Sequence, residues 1–85
     1  MIHKIYCIYD NKIASFGIPF FAPLREVAYR HMRRAVANPQ LDVAQFPSDF
    51  ALFEMGEYDD LTGAFSMDVS PQNLGPLTQF KESTT

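Results

Sequence analysis

The chain contains no tryptophan, a single cysteine and only four glycines. No apolar run in it approaches the roughly 18 residues that a membrane-spanning helix needs. Each shortage excludes something. A lone Cys7 cannot close an intramolecular disulfide, and its apolar neighbours make it a reduced, buried, intracellular thiol. Four scattered glycines leave no Gly-rich loop to cradle a phosphate. The opening Met1-Ile2-His3-Lys4-Ile5-Tyr6 lacks the basic and long apolar regions of a secretory signal. These features together predict a cytosolic protein with no membrane attachment. Positive charge is also scarce: seven basic residues face ten acidic ones, giving a net charge of −3 and a pI near 5.1. A uniformly basic nucleic-acid-binding surface is thereby excluded, and any such binding must come from a local patch.

What is present is apolar and aromatic. Apolar residues make up 47% of the 85 residues, and eight phenylalanines and four tyrosines enrich the core that so short a chain can build. One domain fits this length; a two-domain enzyme with a cleft between halves does not.

Ile2 to Tyr9 is β-branched and aromatic and reads as a strand. Ile2, Lys4, Tyr6 and Ile8 share one face, and His3, Ile5, Cys7 and Tyr9 the other, so both faces are largely apolar. Asp10-Asn11-Lys12 marks a turn, Ile13 to Phe16 a short return strand, and Ile18 to Ala22 an extended segment, since residues before proline avoid helix. A helix is expected from Pro23 to Ala37, with Leu24, Val27, Ala28, His31, Met32 and Ala35 as its apolar stripe. Asn38-Pro39 ends it, Asn38 being suited to a left-handed cap. After a connector over 40–49, Phe50 to Tyr58 reads as a second strong strand with a bulge marked by Gly56. Asp59 to Gly63 is a hairpin loop in which Gly63 takes a positive φ, and Ala64 to Val69 returns with Phe65, Met67 and Val69 on one face.

The expected fold class is α+β: a three- to four-stranded antiparallel sheet with one α-helix packed on a face. Residues 1–70 form a single domain and residues 71–85 an irregular C-terminal tail, frayed from Lys81 to Thr85. One helix covers one face only, so the aromatics opposite call for another cover. A second copy of the chain supplies it most simply, which predicts a homodimer or higher oligomer.

Catalytic signals are close to absent. His3 and His31 lack metal-ligand spacing, and Cys7 and His3 stand about 13 Å apart along one strand, too far for a nucleophile and its base. Asp59, Asp60 and Thr62 do not follow the alternate-oxygen spacing of a calcium loop and read as a turn. Neither enzyme activity nor a cofactor nor a metal is expected. The one concentrated feature is basic: Arg25, Arg30, Arg33 and Arg34 place four of the seven cations on one helix. Guanidinium forks grip phosphate oxygens, so this face could follow a nucleic-acid backbone, with Lys4, Tyr6 and Tyr29 supplying charge and ring faces for unpaired bases. The plainer alternatives are a solvated helix face whose late arginines complement the helix dipole, and a Tyr6 buried in the core.

Two blocks carry a resemblance. Lys4-Ile5-Tyr6-Cys7-Ile8-Tyr9-Asp10 with Phe16-Gly17-Ile18-Pro19-Phe20-Phe21, and Phe46-Pro47-Ser48-Asp49-Phe50-Ala51-Leu52-Phe53-Glu54-Met55-Gly56 with Tyr58-Asp59-Asp60-Leu61-Thr62-Gly63, resemble the small non-structural protein of gokushoviruses. These are microviruses, bacteriophages with circular single-stranded DNA genomes. The resemblance spans residues 2–70. It implies a phage protein of the host bacterial cytoplasm, absent from the virion, with a role in DNA replication or in the passage to single-strand production and packaging. It brings no catalytic or binding residues with it.

Three functions follow as expectations. The first is a DNA-binding accessory protein that prefers single strands and binds as an oligomer through the arginines. The second is an adaptor that touches a phage or host replication protein, or a packaging protein, and no DNA, using a sheet edge or the segment Leu74 to Phe80. The third is an inhibitor of a host enzyme that presents Glu54, Glu57, Asp59 and Asp60 as an acidic mimic.

Overall fold

Alternating apolar residues dictate the strands, and the computed structural model, which describes residues 1–81, joins five of them into one antiparallel sheet. In chain order these are β1 (Ile2–Asp10), β2 (Ser15–Phe16), β3 (Phe20–Ala22), β4 (Phe50–Asp59) and β5 (Ala64–Pro76). The main helix, α1 (Arg25–Ala37), follows β3, and a short α2 (Asp42–Gln45) leads to a single 3-10 turn over Pro47–Asp49. The order across the sheet is β2-β1-β4-β5, with β3 also on β1. The sheet curls into a half-barrel.

The expected fold class holds in outline: a mixed fold with an antiparallel sheet and one main helix. The strand count is corrected from three or four to five, because the extended residues before the helix pair as β3, with Lys4 opposite Ala22 and Tyr6 opposite Phe20. The β1–β4 ladder runs from Ile2 opposite Asp59 to Asp10 opposite Phe50 and slips once, at Ile5 and Tyr6. That slip is the bulge expected at Gly56: Ile5 pairs with Gly56 and Tyr6 with Glu54, leaving Met55 unpaired. A slip of one residue moves later side chains to the opposite face. It is why Phe53 and Tyr58, five residues apart, stand on the same side of the sheet, opposite Cys7 and His3.

The tail reading is the largest correction. The β5 strand does not stop at Val69 but continues to Pro76, and a 3-10 turn over Leu77–Phe80 closes the structure with Leu77 and Phe80 buried. The segment from 71 to 80 is therefore ordered, because its two apolar anchors fill the core next to α1. Of the fraying expected from Lys81 on, residues 82–85 lie outside the described residues.

The core lies between α1 and the sheet face that carries Tyr6 and Leu52. Ala28, Met32 and Val36, four residues apart, put one stripe of the helix against Tyr6, Ala22, Leu52, Leu77 and Phe80. Leu52 and Leu77 are fully buried, each contributing about 1.5–3 kcal/mol of transfer free energy. The helix starts at Arg25 instead of Pro23, so Leu24 sits in extended backbone before the first turn and is left exposed, while Val36 takes its place in the stripe. Asn38 is extended, with φ −92°, instead of left-handed. The following Pro39 disfavours helical backbone there, and the Asn38 Oδ1 accepts the Gln40 N–H at 3.1 Å to close a local turn.

The second face is covered by its own rings. Tyr9, Phe16 and Phe53 form one cluster, with centroids 4.8–5.7 Å apart. Tyr58 packs against Phe65 at 4.7 Å in a tilted pair and meets Phe21 at 5.9 Å to form another. Beneath them Ile5 and Cys7 are buried, and burial raises the thiol pKa.

Candidate functional site

The arginines divide according to where α1 turns them. Successive residues rotate about 100° around a helix. With Ala28, Met32 and Val36 on the core, Arg25 falls on the inner side, and Arg30 and Arg34 point nearly away from it. Arg25 accordingly meets the buried carboxylate of Glu54, its Nη2 lying 3.3 Å from Oε1 and 3.4 Å from Oε2. Partial burial works against the guanidinium charge, but Glu54 outweighs it and holds the Arg25 pKa above its ordinary value. Arg25 is thus committed to Glu54 and stands apart from the other three arginines of the helix. Lys4 is likewise engaged, 3.5 Å from Glu57 across the ladder.

Arg30, Arg33 and Arg34 are exposed and converge with Lys81 on a cleft of about 690 Å³ between the second half of α1 and α2. Val36, Ala37, Pro39, Ala44 and Gln45 complete the lining. Two hydrogen bonds hold the far wall: Lys81 Nζ donates to the Ala44 carbonyl at 3.0 Å, and Gln45 Nε2 donates to the Pro39 carbonyl at 3.1 Å. Among the described residues, no carboxylate lies within 4.0 Å of any of these four cations, and none lines the cleft. Four of the seven basic residues thus gather here, leaving three among ten acidic ones on the rest of the chain. Lys81 was missed by sequence reasoning because it lies 47 positions from Arg34 and only the docking of Leu77 and Phe80 brings it back.

The tyrosines do not complete a base-stacking platform beside this cleft. Tyr6 is fully buried beneath α1 and stacks on Phe20 at 5.7 Å, so no base reaches it, which removes it from the candidates. Tyr29 is half-buried with its ring on Phe80 at 5.2 Å. The Tyr6 hydroxyl makes no hydrogen bond of good geometry, although the Glu54 carboxylate is close enough to act on it: burial first and the Glu54 charge second push its pKa up to about 12. An unmatched buried hydroxyl costs about 1–3 kcal/mol, so Tyr6→Phe is expected to stabilise the fold by about 1 kcal/mol in urea denaturation. The wild type, whose phenol stays protonated in the folded chain, should also lose stability as pH rises from 10 towards 12, a loss the variant lacks. A destabilised Tyr6→Phe would contradict this account.

The acidic residues are structural as well. Asp59 Oδ1 accepts the Leu61 N–H, and Thr62 Oγ1 the Ala64 N–H, as expected of a hairpin turn. Asp60 accepts from the Met1 amine at 2.7 Å and from His3 Nε2 at 2.8 Å. With Glu54 on Arg25 and Glu57 on Lys4, the four carboxylates of the acidic-mimic expectation all have partners within the fold. No helix of the described residues is long and apolar enough to cross a membrane.

Comparison with known proteins adds one finding. Residues 3–80 match a protein family described as Phage ORF5 protein. No curated protein and no solved structure matches.

Proposed function

The chain belongs to the phage ORF5 protein family, and from that premise we propose that it is a non-catalytic accessory protein that holds single-stranded DNA by its phosphates. The observation that carries this reading is the cleft of Arg30, Arg33, Arg34 and Lys81, whose lining holds four cations and no carboxylate. Three guanidinium forks on adjacent turns suit the oxygens of successive phosphates, and the ammonium opposite acts as a point charge. On a molecule of net charge −3, such a patch orients a polyanion towards one place and repels it elsewhere. Phosphate contacts position a strand without reading its sequence, so the binding is sequence-independent. The choice of a single strand rests on the resemblance to gokushoviruses, whose genomes are single-stranded. The same resemblance supports a role in replication or packaging in the host cytoplasm.

Four phosphate contacts to a single strand give a salt dependence of about −2.8 in log affinity against log salt. Affinity should then fall about 50-fold between about 50 and 200 mM salt, read as fluorescence anisotropy of a labelled oligothymidylate. A signal that is absent at low salt removes the reading. A pull-down that then retains a replication or packaging protein would leave the adaptor in its place.

A further inference from the structure

The face of the sheet opposite α1 has its own purpose, independent of the cleft. We propose that it is the docking surface for a second copy of this chain, two sheets meeting face to face about a two-fold axis. Pairing places Phe16 opposite Tyr9, Phe21 opposite Ile5, Phe65 opposite Tyr58 and Met67 opposite Gly56, all on this one face. The rings cover Ile5 and Cys7 but not themselves: Phe16, Phe21, Phe65 and Met67 remain 42%, 48%, 59% and 55% exposed. At about 200 Å² for a whole aromatic side chain, the three phenylalanines alone leave about 300 Å² of apolar surface in water. With Met67 the total is about 400 Å². A standard interface buries about 800 Å² on each partner, of which about 60% is apolar. The face therefore supplies nearly the whole apolar share of one side of a dimer.

That area, together with the lack of cations among the rings, decides the occupant. The hairpin beside Phe65 carries Asp59 and Asp60, and the unpaired arginines lie on the outer side of α1, across the sheet. A nucleic acid seeking these rings would find no lysine or arginine among them, only Asp59 and an Asp60 already paired with the Met1 amine and His3. A second copy brings the same rings, and its apolar face matches this one in extent. Such an isologous contact covers both sets of rings at once and closes at two copies.

Light scattering during size-exclusion chromatography of the full chain tests this. The expected mass is twice 9.7 kDa. Phe65→Glu should weaken the pairing at least tenfold and return the single-chain mass with an unchanged circular dichroism spectrum, because that ring is the most exposed of the three. Met67→Lys, on the neighbouring row, should do the same and guards against a folding defect in the first variant. A wild type of single-chain mass at high micromolar concentration would overturn the proposal. So would variants that keep the doubled mass, or variants that lose only oligonucleotide binding, which would assign the rings to bases. Because the cleft lies elsewhere, a dimer without DNA binding sinks the function and not this interface.

Discussion

Replacing Arg30, Arg33 and Arg34 together by glutamine is expected to weaken single-stranded DNA binding about 100-fold at about 0.1 M salt. The size follows from the ions displaced. Each phosphate contact on a single strand contributes about 0.7 to the slope of log affinity against log salt, so three lost contacts remove about 2.1. Taking the two proteins as equal near 1 M salt, where the electrostatic term vanishes, that slope is worth about two powers of ten at a tenth of the concentration. The residual dependence belongs to Lys81 alone. Glutamine matches arginine closely in helix propensity, and only Arg34, in the last turn, gives up a favourable dipole contact of about 0.3–1 kcal/mol. The fold should therefore survive, as circular dichroism can verify. A triple variant that binds within twofold of the wild type would show that these side chains are only a solvated helix face.

The second large effect concerns the backbone at Gly56. A Cβ built there would lie 2.4 Å from the Ser66 carbonyl oxygen and 2.8 Å from the Met67 Cα, on a residue with φ of +156°. Both obstacles are main chain of the neighbouring strand, so no side chain can swing aside. Gly56→Ala is expected to cost more than about 3 kcal/mol, a large part of the roughly 5–15 kcal/mol that holds a domain together. Gly63→Ala provides the contrast. Its φ is +73° but nothing lies within 4 Å of the added methyl, so only the strain of a left-handed alanine, about 1 kcal/mol, is expected. Urea denaturation of the pair separates the two, and a Gly56→Ala variant within 1 kcal/mol of the wild type would mean that the bulge repacks.

Much of this architecture was legible because local signals agreed with the final pairing. β-branched and aromatic residues over Ile2 to Tyr9, the helical stripe around Ala28 and Met32, and glycines at 56 and 63 each named an element or a turn. The failures have a common cause, which is that long-range pairing leaves little local trace. Phe20–Ala22 is three residues long and looked merely extended, yet β1 recruits it. In β5, Asp68 to Pro71 break the alternation, because four residues there stand opposite the single Met55. The strand resumes at Gln72 with polar residues that resemble a tail. The site shows the same division. Arg30, Arg33 and Arg34 could be grouped from helical spacing, whereas Arg25, one turn earlier, faces inward and is spoken for by Glu54. Nothing in the sequence near Lys81 announces that it closes a cleft.

That interruption in β5 bears on whether the rim of the sheet can recruit further strands. As the outermost strand of thirteen residues, β5 would present an unbroken row of free amides and carbonyls, the template from which fibrils grow. The kink at Asp68 to Pro71 throws Val69 fully outward and places a residue with no amide hydrogen beside it. An incoming strand can zip along only a few residues before the ladder fails, so the long rim is kept from seeding aggregation.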